Sequence, residues 1–307
     1  MNIPAKKSRR DPAQEITNRI IAAIEKGAPP WKQPWTNAFS QMRPLRSNGA
    51  PYSGVNILIL WDRACEMGFE NPRWMTFRQA RALGGRVKKG ERSVLVVYYG
   101  STVKTEEDEG GEAAERSFRF LKSYPVFNVE QIVGLPAHFY DYKGSDIVRT
   151  PPVSERRTFF DAIGAKIRHG GGEAFFSPGA DVIRMPPFGS FDEPERYFAT
   201  LAHEAIHWTG ARTRLDRLKF PMSEAERAFE ELIAEIGAAM LGAHLRLPPG
   251  HVDDHAAYVA SWLKALRGDK RFILKAAAAA QQACDYLLER AGPDLSLDAA
   301  GAAPAAA

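Results

Sequence analysis

Three observations predict an α+β protein of two domains. Helix-period apolar stretches alternate along the chain with short branched and aromatic runs bounded by Gly and Pro, so neither element type dominates. The 307 residues suffice for two cores. Charge is divided unevenly, with 17 Lys plus Arg against 7 Asp plus Glu in residues 1–100 and 24 against 30 in residues 101–307. These place a basic α+β domain at 1–135, a Pro-containing linker at 136–154, a mostly helical domain with a small sheet at 155–291, and a low-complexity tail at 292–307.

The first element begins at Asp11 and Pro12, since a carboxylate satisfies first-turn N–H groups and proline's fixed φ suits the first turn. ITNRIIAAIEKG then supplies an apolar face and a stop at Gly27. In APPWKQPW, Trp31 and Trp35 stand among prolines and beside Lys32. Such rings form either a stacking platform for bases or staples that fix an irregular loop to the core. YSGVNILILWDRACEMG is a buried helix ending at Gly68, with Asn56 early in it.

WMTFRQARALGGRVKKGERSVLVVYYG predicts a short helix from Thr76, a glycine pair at Gly84 and Gly85, a basic turn, and a strand to Tyr99. The turn carries Arg86, Lys88, Lys89 and Arg92. Taken singly it is a solvated charged turn. Beside aromatic strands in a basic segment, its cations supply the ingredients of a single-stranded DNA groove. Residues 104–116, KTEEDEGGEAAER, are expected to form a flexible acidic hairpin loop, with a strand returning through Phe127.

In the second half, RRTFFDAIGAKI is an amphipathic helix, and EAFFSPGADVIRMPPFGSF gives two short strands around a turn at Ser177 to Gly179. Such a hairpin offers a wall along which an extended peptide adds as a strand. Helices are expected next from Pro194 to Trp208, from the Ser223 cap with Glu226 three residues on, along the face Tyr258, Trp262 and Leu266, and last through Leu288.

The most informative string is TLAHEAIHWTG. Residues four apart on a helix share a face, so His203 and His207 can bind one Zn²⁺, or another divalent metal, while Glu204 acts as general base. A hydrolytic zinc takes three protein ligands and keeps one open position, and the following helix offers Glu230, Glu231 and Glu235. Glu231 and Glu235, at i and i+4, fit a third ligand and a carboxylate that orients a ligand histidine; Glu230 is the competitor, read as a solvated neighbour. Tyr197, Tyr258, His251 and His255 are candidates for a second electrophile. The two cysteines, Cys65 and Cys284, suggest neither a disulfide framework nor a cysteine metal site. No apolar run approaches a membrane span and MNIPAKKSRRDP has no secretory character, so a cytoplasmic location without a membrane partner is expected.

From about Ile16 to Leu288 the chain resembles the ArdC antirestriction family of plasmids, which is related to the N-terminal region of TraC-type primases. The blocks that carry the resemblance are PWKQPW, YSGVNILILW, WMTFRQARALGGRVKKGE, YPVFNVEQ, SPGADVIRMPPF, LAHEAIHWTG, EELIAEIGAAML and HAAYVASWLKALRGDKR. The resemblance implies an N-terminal domain that binds single-stranded DNA, a zincin-like metallopeptidase domain, and protection of incoming plasmid DNA from host restriction during conjugation. It places the metal motif on His203, Glu204 and His207 and the third ligand within EELIAE. Similarity to gluzincin-type peptidases favours Glu231 and Glu235 there. Host restriction proteins are the protein partners it implies.

Overall fold

The computed structural model describes residues 11–32, 42–107, 113–141, 152–247 and 256–292. Trp35, His251, His255 and the tail beyond Gly292 lie outside the described residues.

Helix α1 (Pro12–Glu25) starts where Asp11 accepts from the Ala13 and Gln14 N–H groups at 3.1 and 3.3 Å, and it buries Ile16, Ile20 and Ile24. Strand β1 (Leu45–Arg46) precedes α2 (Val55–Met67), which Gly68 closes in the left-handed conformation at φ 69. After β2 (Arg73–Thr76), α3 (Phe77–Ala82) is capped reciprocally by Thr76 and Gln79. Strands β3 (Arg86–Val87), β4 (Val94–Glu107), β5 (Ala113–Asn128) and β6 (Ile132–Val133) follow. One sheet has the order β1-β2-β5-β4, and β3 pairs with β6 beside it.

The β4–β5 ladder departs from expectation. Pairing runs from Val94↔Val126 to Glu107↔Ala113, so much of the acidic segment predicted to be a loop from residue 104 is strand. Backbone ladder bonds need no apolar side chain, so a polar and charged segment can still pair as strand.

The second half comprises α4 (Val153–Ala162), β7 (Ile167–His169), β8 (Phe175–Ser177), β9 (Val182–Met185), α5 (Pro194–Thr209), α6 (Glu224–Leu245), α7 (Ala256–Gly268) and α8 (Phe272–Ala291). Its sheet has three strands in the order β7-β9-β8. The amphipathic helix expected through Ile167 ends at Ala162, and Ile167 opens β7, which is three residues long and pairs with β9 in parallel, a non-local contact that no hairpin signal announces.

One hydrophobic cluster spans both halves, from Ile20, Trp31 and Leu58 through Phe160 and Phe198 to Leu232, Trp262 and Ala280. The halves are also stitched by polar contacts: Thr17 Oγ1 donates to the Lys270 carbonyl at 2.8 Å, and the Gly54 N–H to Gln281 Oε1 at 3.1 Å. A smaller cluster, Met75, Ala80, Val129, Ile132, Leu135 and Phe139, lies beneath β3 and β6. Pro136, the expected start of the linker, is itself exposed and stands between two members of that cluster, Leu135 and Phe139. Phe139 is buried, its carbonyl accepts from Asn71 Nδ2 at 2.8 Å, and the Tyr140 hydroxyl donates to the Ile132 carbonyl at 2.9 Å. Among the described residues no helix is long and apolar enough to cross a membrane.

Candidate metal centre

Helix α5 opens on Pro194 and runs one residue past the expected Trp208 before Gly210 ends it. Its buried face presents His203 and His207 one turn apart, with their rings edge to face at 4.8 Å and their Nε2 atoms 3.1 Å apart. Helix α6 starts on the expected capping box, in which the Ser223 N–H donates to Glu226 Oε2 at 2.8 Å and the Glu226 N–H to Ser223 Oγ at 3.3 Å. This fixes the phase that aims Glu231 at α5. Glu231 Oε2 lies 3.5 Å from His203 Nε2, and Oε1 lies 3.6 Å from His207 Nε2. One donor atom from each of the three residues falls within 4.8 Å of the others. Metal bonds of about 2.0–2.1 Å at tetrahedral angles put ligand atoms roughly 3.3 Å apart, so this donor set fits a small divalent cation.

Glu230 is not a solvated neighbour. It is buried, with Oε1 3.3 Å from His207 Nδ1, and Arg217 grips it through Nε to Oε2 at 3.2 Å and Nη2 to Oε1 at 2.9 Å. Arg217 also donates to Thr209 Oγ1 and to the Ile206 carbonyl, each at 2.9 Å. In the neutral ring, an N–H at Nδ1 directed to Glu230 leaves the Nε2 lone pair free on the side of Glu231, the tautomer a metal ligand needs. A step of one residue turns a side chain about 100° around the helix, and at Glu230 that turn meets Arg217 from a loop instead of water.

Charge shapes the site further. Burial works against protonation of His207, but hydrogen bonds to Glu230 and Glu231 and the charges of Glu231 and Glu204 outweigh it and push its pKa up to about 10. Burial likewise raises Glu231 and Glu230, yet contact with His203 and His207 holds the first below the usual carboxylate range, and His207 and Arg217 hold the second below it. Without metal, a proton on His207 occupies the electrostatic role of the cation.

Glu204 is buried on the same helix, and its carboxylate makes no side-chain hydrogen bond among the described residues. Glu235 is also buried, and Lys32 Nζ approaches its Oε1 at 3.4 Å. Of the electrophile candidates, Tyr197 is bound to His169 Nε2 at 2.8 Å and packed edge-on by Phe188 and Phe191. Tyr258 lies over Trp262 with ring centroids 6.3 Å apart, and burial followed by the negative charge of Glu231 pushes its hydroxyl pKa up.

The residues expected to touch DNA are dispersed. Trp31 is turned into the core, edge-on to Trp262 at 6.1 Å, so it staples the loop and offers no face to a base. Lys32 is directed to Glu235. Arg86, Lys88, Lys89 and Arg92 are exposed along the turn, where Lys88 Nζ donates to the Glu130 carbonyl at 2.7 Å. A basic and aromatic concavity lies elsewhere: a cleft of about 830 Å³ whose walls include Arg46, Phe77, Arg78, Tyr98 and Tyr124. The period-2 placement of rings in β4 and β5 was its signal in the sequence.

Residues 154–279 match the zincin-like metallopeptidase family, and residues 10–127 match the N-terminal domain of anti-restriction factor ArdC. The fold is similar to the metal-free crystal structure of the antirestriction ArdC protein from plasmid R388, with a TM-score of 0.80 and 47% identity over 92% of this chain and 98% of that one. The Mn(II)-bound structure of that protein gives a TM-score of 0.77 and 45% identity over 92% and 99%. Protein y4eC of Sinorhizobium fredii is 38% identical over 89% of this chain and 90% of its own length. DNA primase TraC of Escherichia coli is 36% identical over 90% of this chain, which spans only 27% of the primase.

Proposed function

This chain belongs to the ArdC antirestriction family, and on that footing we propose that it binds single-stranded DNA and shields incoming plasmid DNA from host restriction during conjugation, with a zinc site of hydrolytic type in its second half. The observation that carries the metal site is the convergence of His203, His207 and Glu231 within 4.8 Å. Mn(II) in the R388 protein supports a divalent cation here, and the two imidazoles with one carboxylate suit zinc. The basic first hundred residues support the DNA partner.

When bound, such a metal polarises a carbonyl oxygen and lowers the pKa of a coordinated water toward ~7. The remaining steps belong to the protein. Glu230, held by Arg217, fixes the His207 ring so that Nε2 faces inward. Glu204 receives the proton from the attacking water and returns it to the leaving amine. Its burial, with no side-chain hydrogen bond among the described residues, favours a second reading in which the protein acts by cleaving a host restriction protein. Conjugation into restricting recipients separates the two. A shield protects equally well as Glu204→Gln; a peptidase loses protection in that variant while keeping metal and DNA affinity.

A further inference from the structure

We infer that single-stranded DNA is held on one face of the β4–β5 arm and in the cleft at its root. This rests on the single-stranded DNA reading above and assigns the surface that performs it. Residues directly opposite in an antiparallel ladder project to the same face, and every second residue repeats it. The pairs Val94↔Val126, Val96↔Tyr124, Tyr98↔Lys122, Gly100↔Phe120 and Thr102↔Phe118 therefore form one face. At the root that face is core: Val94, Val96 and Val126 are buried. Asn56 on α2 clamps the neighbouring backbone, accepting from the Val97 N–H and donating to its carbonyl, each at 2.8 Å. Beyond this clamp the face changes to exposed rings, with Tyr124 43%, Tyr98 55% and Phe118 41% exposed.

These rings are positioned. Tyr98 and Phe120 lie 6.2 Å apart, and Lys122 Nζ sits 4.8 Å over the Phe120 ring. Gly100 makes the arrangement possible, because a Cβ there would come within 2.5 Å of Phe120 Cζ and 2.8 Å of Tyr98. Phe120 thus lies across a strand with no side chain beneath it. At the root, the cleft adds Phe77 and two arginines, Arg46 and Arg78, and none of its lining residues is acidic. Neither guanidinium is engaged by a carboxylate among the described residues, and Arg46 lies 5.4 Å from the Tyr52 ring centroid. Successive rings with cations at their margin are the elements that bind a strand without reading its sequence: bases stack, and guanidinium groups meet phosphates. A duplex hides its base faces and gains nothing from the rings.

The test measures binding of a fluorescent (dT)20 oligonucleotide to the full-length protein by anisotropy over a range of salt. Tyr98→Ala and Tyr124→Ala are each expected to weaken binding about tenfold. The double variant Arg46→Gln, Arg78→Gln is expected to flatten the plot of log affinity against log salt by roughly 1.4, about 0.7 for each lost phosphate contact. Gly100→Val keeps every ring and charge but displaces Phe120, and it too is expected to weaken binding. Wild-type binding that survives all of these while Lys88→Glu, Lys89→Glu abolishes it would overturn the platform and leave DNA binding standing. Failure of the wild type to bind at low salt would overturn both. Loss of binding in the ring and arginine variants, with duplex of the same length bound weakly throughout, supports the assignment.

Discussion

Lys32 Nζ lies 3.4 Å from Glu235 Oε1, so a cation from the N-terminal half neutralises a buried carboxylate one helical turn beyond Glu231. Its neighbour Trp31 fixes the approach by packing edge-on to Trp262, whose indole N–H donates to the Ala228 carbonyl at 2.6 Å on the same helix. The first half is thus part of the surroundings of the candidate metal centre. Lys32→Met leaves Glu235 without this counter-charge. Because Lys32 is 27% exposed, the cost of breaking the pair is discounted to about 1–2 kcal/mol. Urea unfolding of the metal-free protein measures it, and an unchanged midpoint would remove any structural role for the pair.

The shared core predicts cooperative unfolding. Helix α1 is anchored to the Lys270 carbonyl through Thr17 and the start of α2 to Gln281, so neither half can open without exposing the other. Calorimetry of the full chain is expected to show one transition. Two resolved transitions would mean that the interface contributes little.

Glu204→Gln should keep stoichiometric metal and native stability, since it alters neither a donor of the triad nor a buried ion pair, while any hydrolysis falls by about 10²–10⁴. His203→Ala with His207→Ala should lose the metal. Elemental analysis of purified variants decides both, and metal persisting in the double variant would refute the site.

Proton and metal compete at His207. Its raised folded pKa, about 10 against 6.5, means that protonation stabilises the metal-free protein fully below pH 6.5 and that this contribution is lost as pH climbs toward 10. Glu230 and Glu231 have the opposite sign: held below 4.5, they contribute above that pH and lose their contribution as acid protonates them. Metal-free stability should therefore peak between about pH 4.5 and 6.5. Divalent metal displaces the His207 proton, so its affinity should rise about tenfold per unit between pH 6.5 and 9. Chelator competition at several pH values tests this, and a flat profile would place the displaced proton elsewhere.

Elements whose signals are local can be read directly from the order of residues. The Asp11 and Ser223 caps, the Gly68 stop and the His203–His207 spacing depend on neighbours within a turn or two of chain, and each is found where its pattern places it. What depends on distant partners becomes visible only once the chain is folded. Glu230 and Glu231 are adjacent in sequence and equally acidic, and only the return of Arg217 to α5 separates a gripped carboxylate from one that faces two imidazoles. Trp31 and Lys32 read equally well as DNA contacts until α6 and α7 are seen to receive them. The β4–β5 arm shows the same division, since alternation put its rings on the strands but the register of the ladder brought Tyr98, Phe120 and Tyr124 to one face. Local patterns follow from short-range backbone geometry. The environment of a side chain follows from long-range packing, which a single sequence does not display.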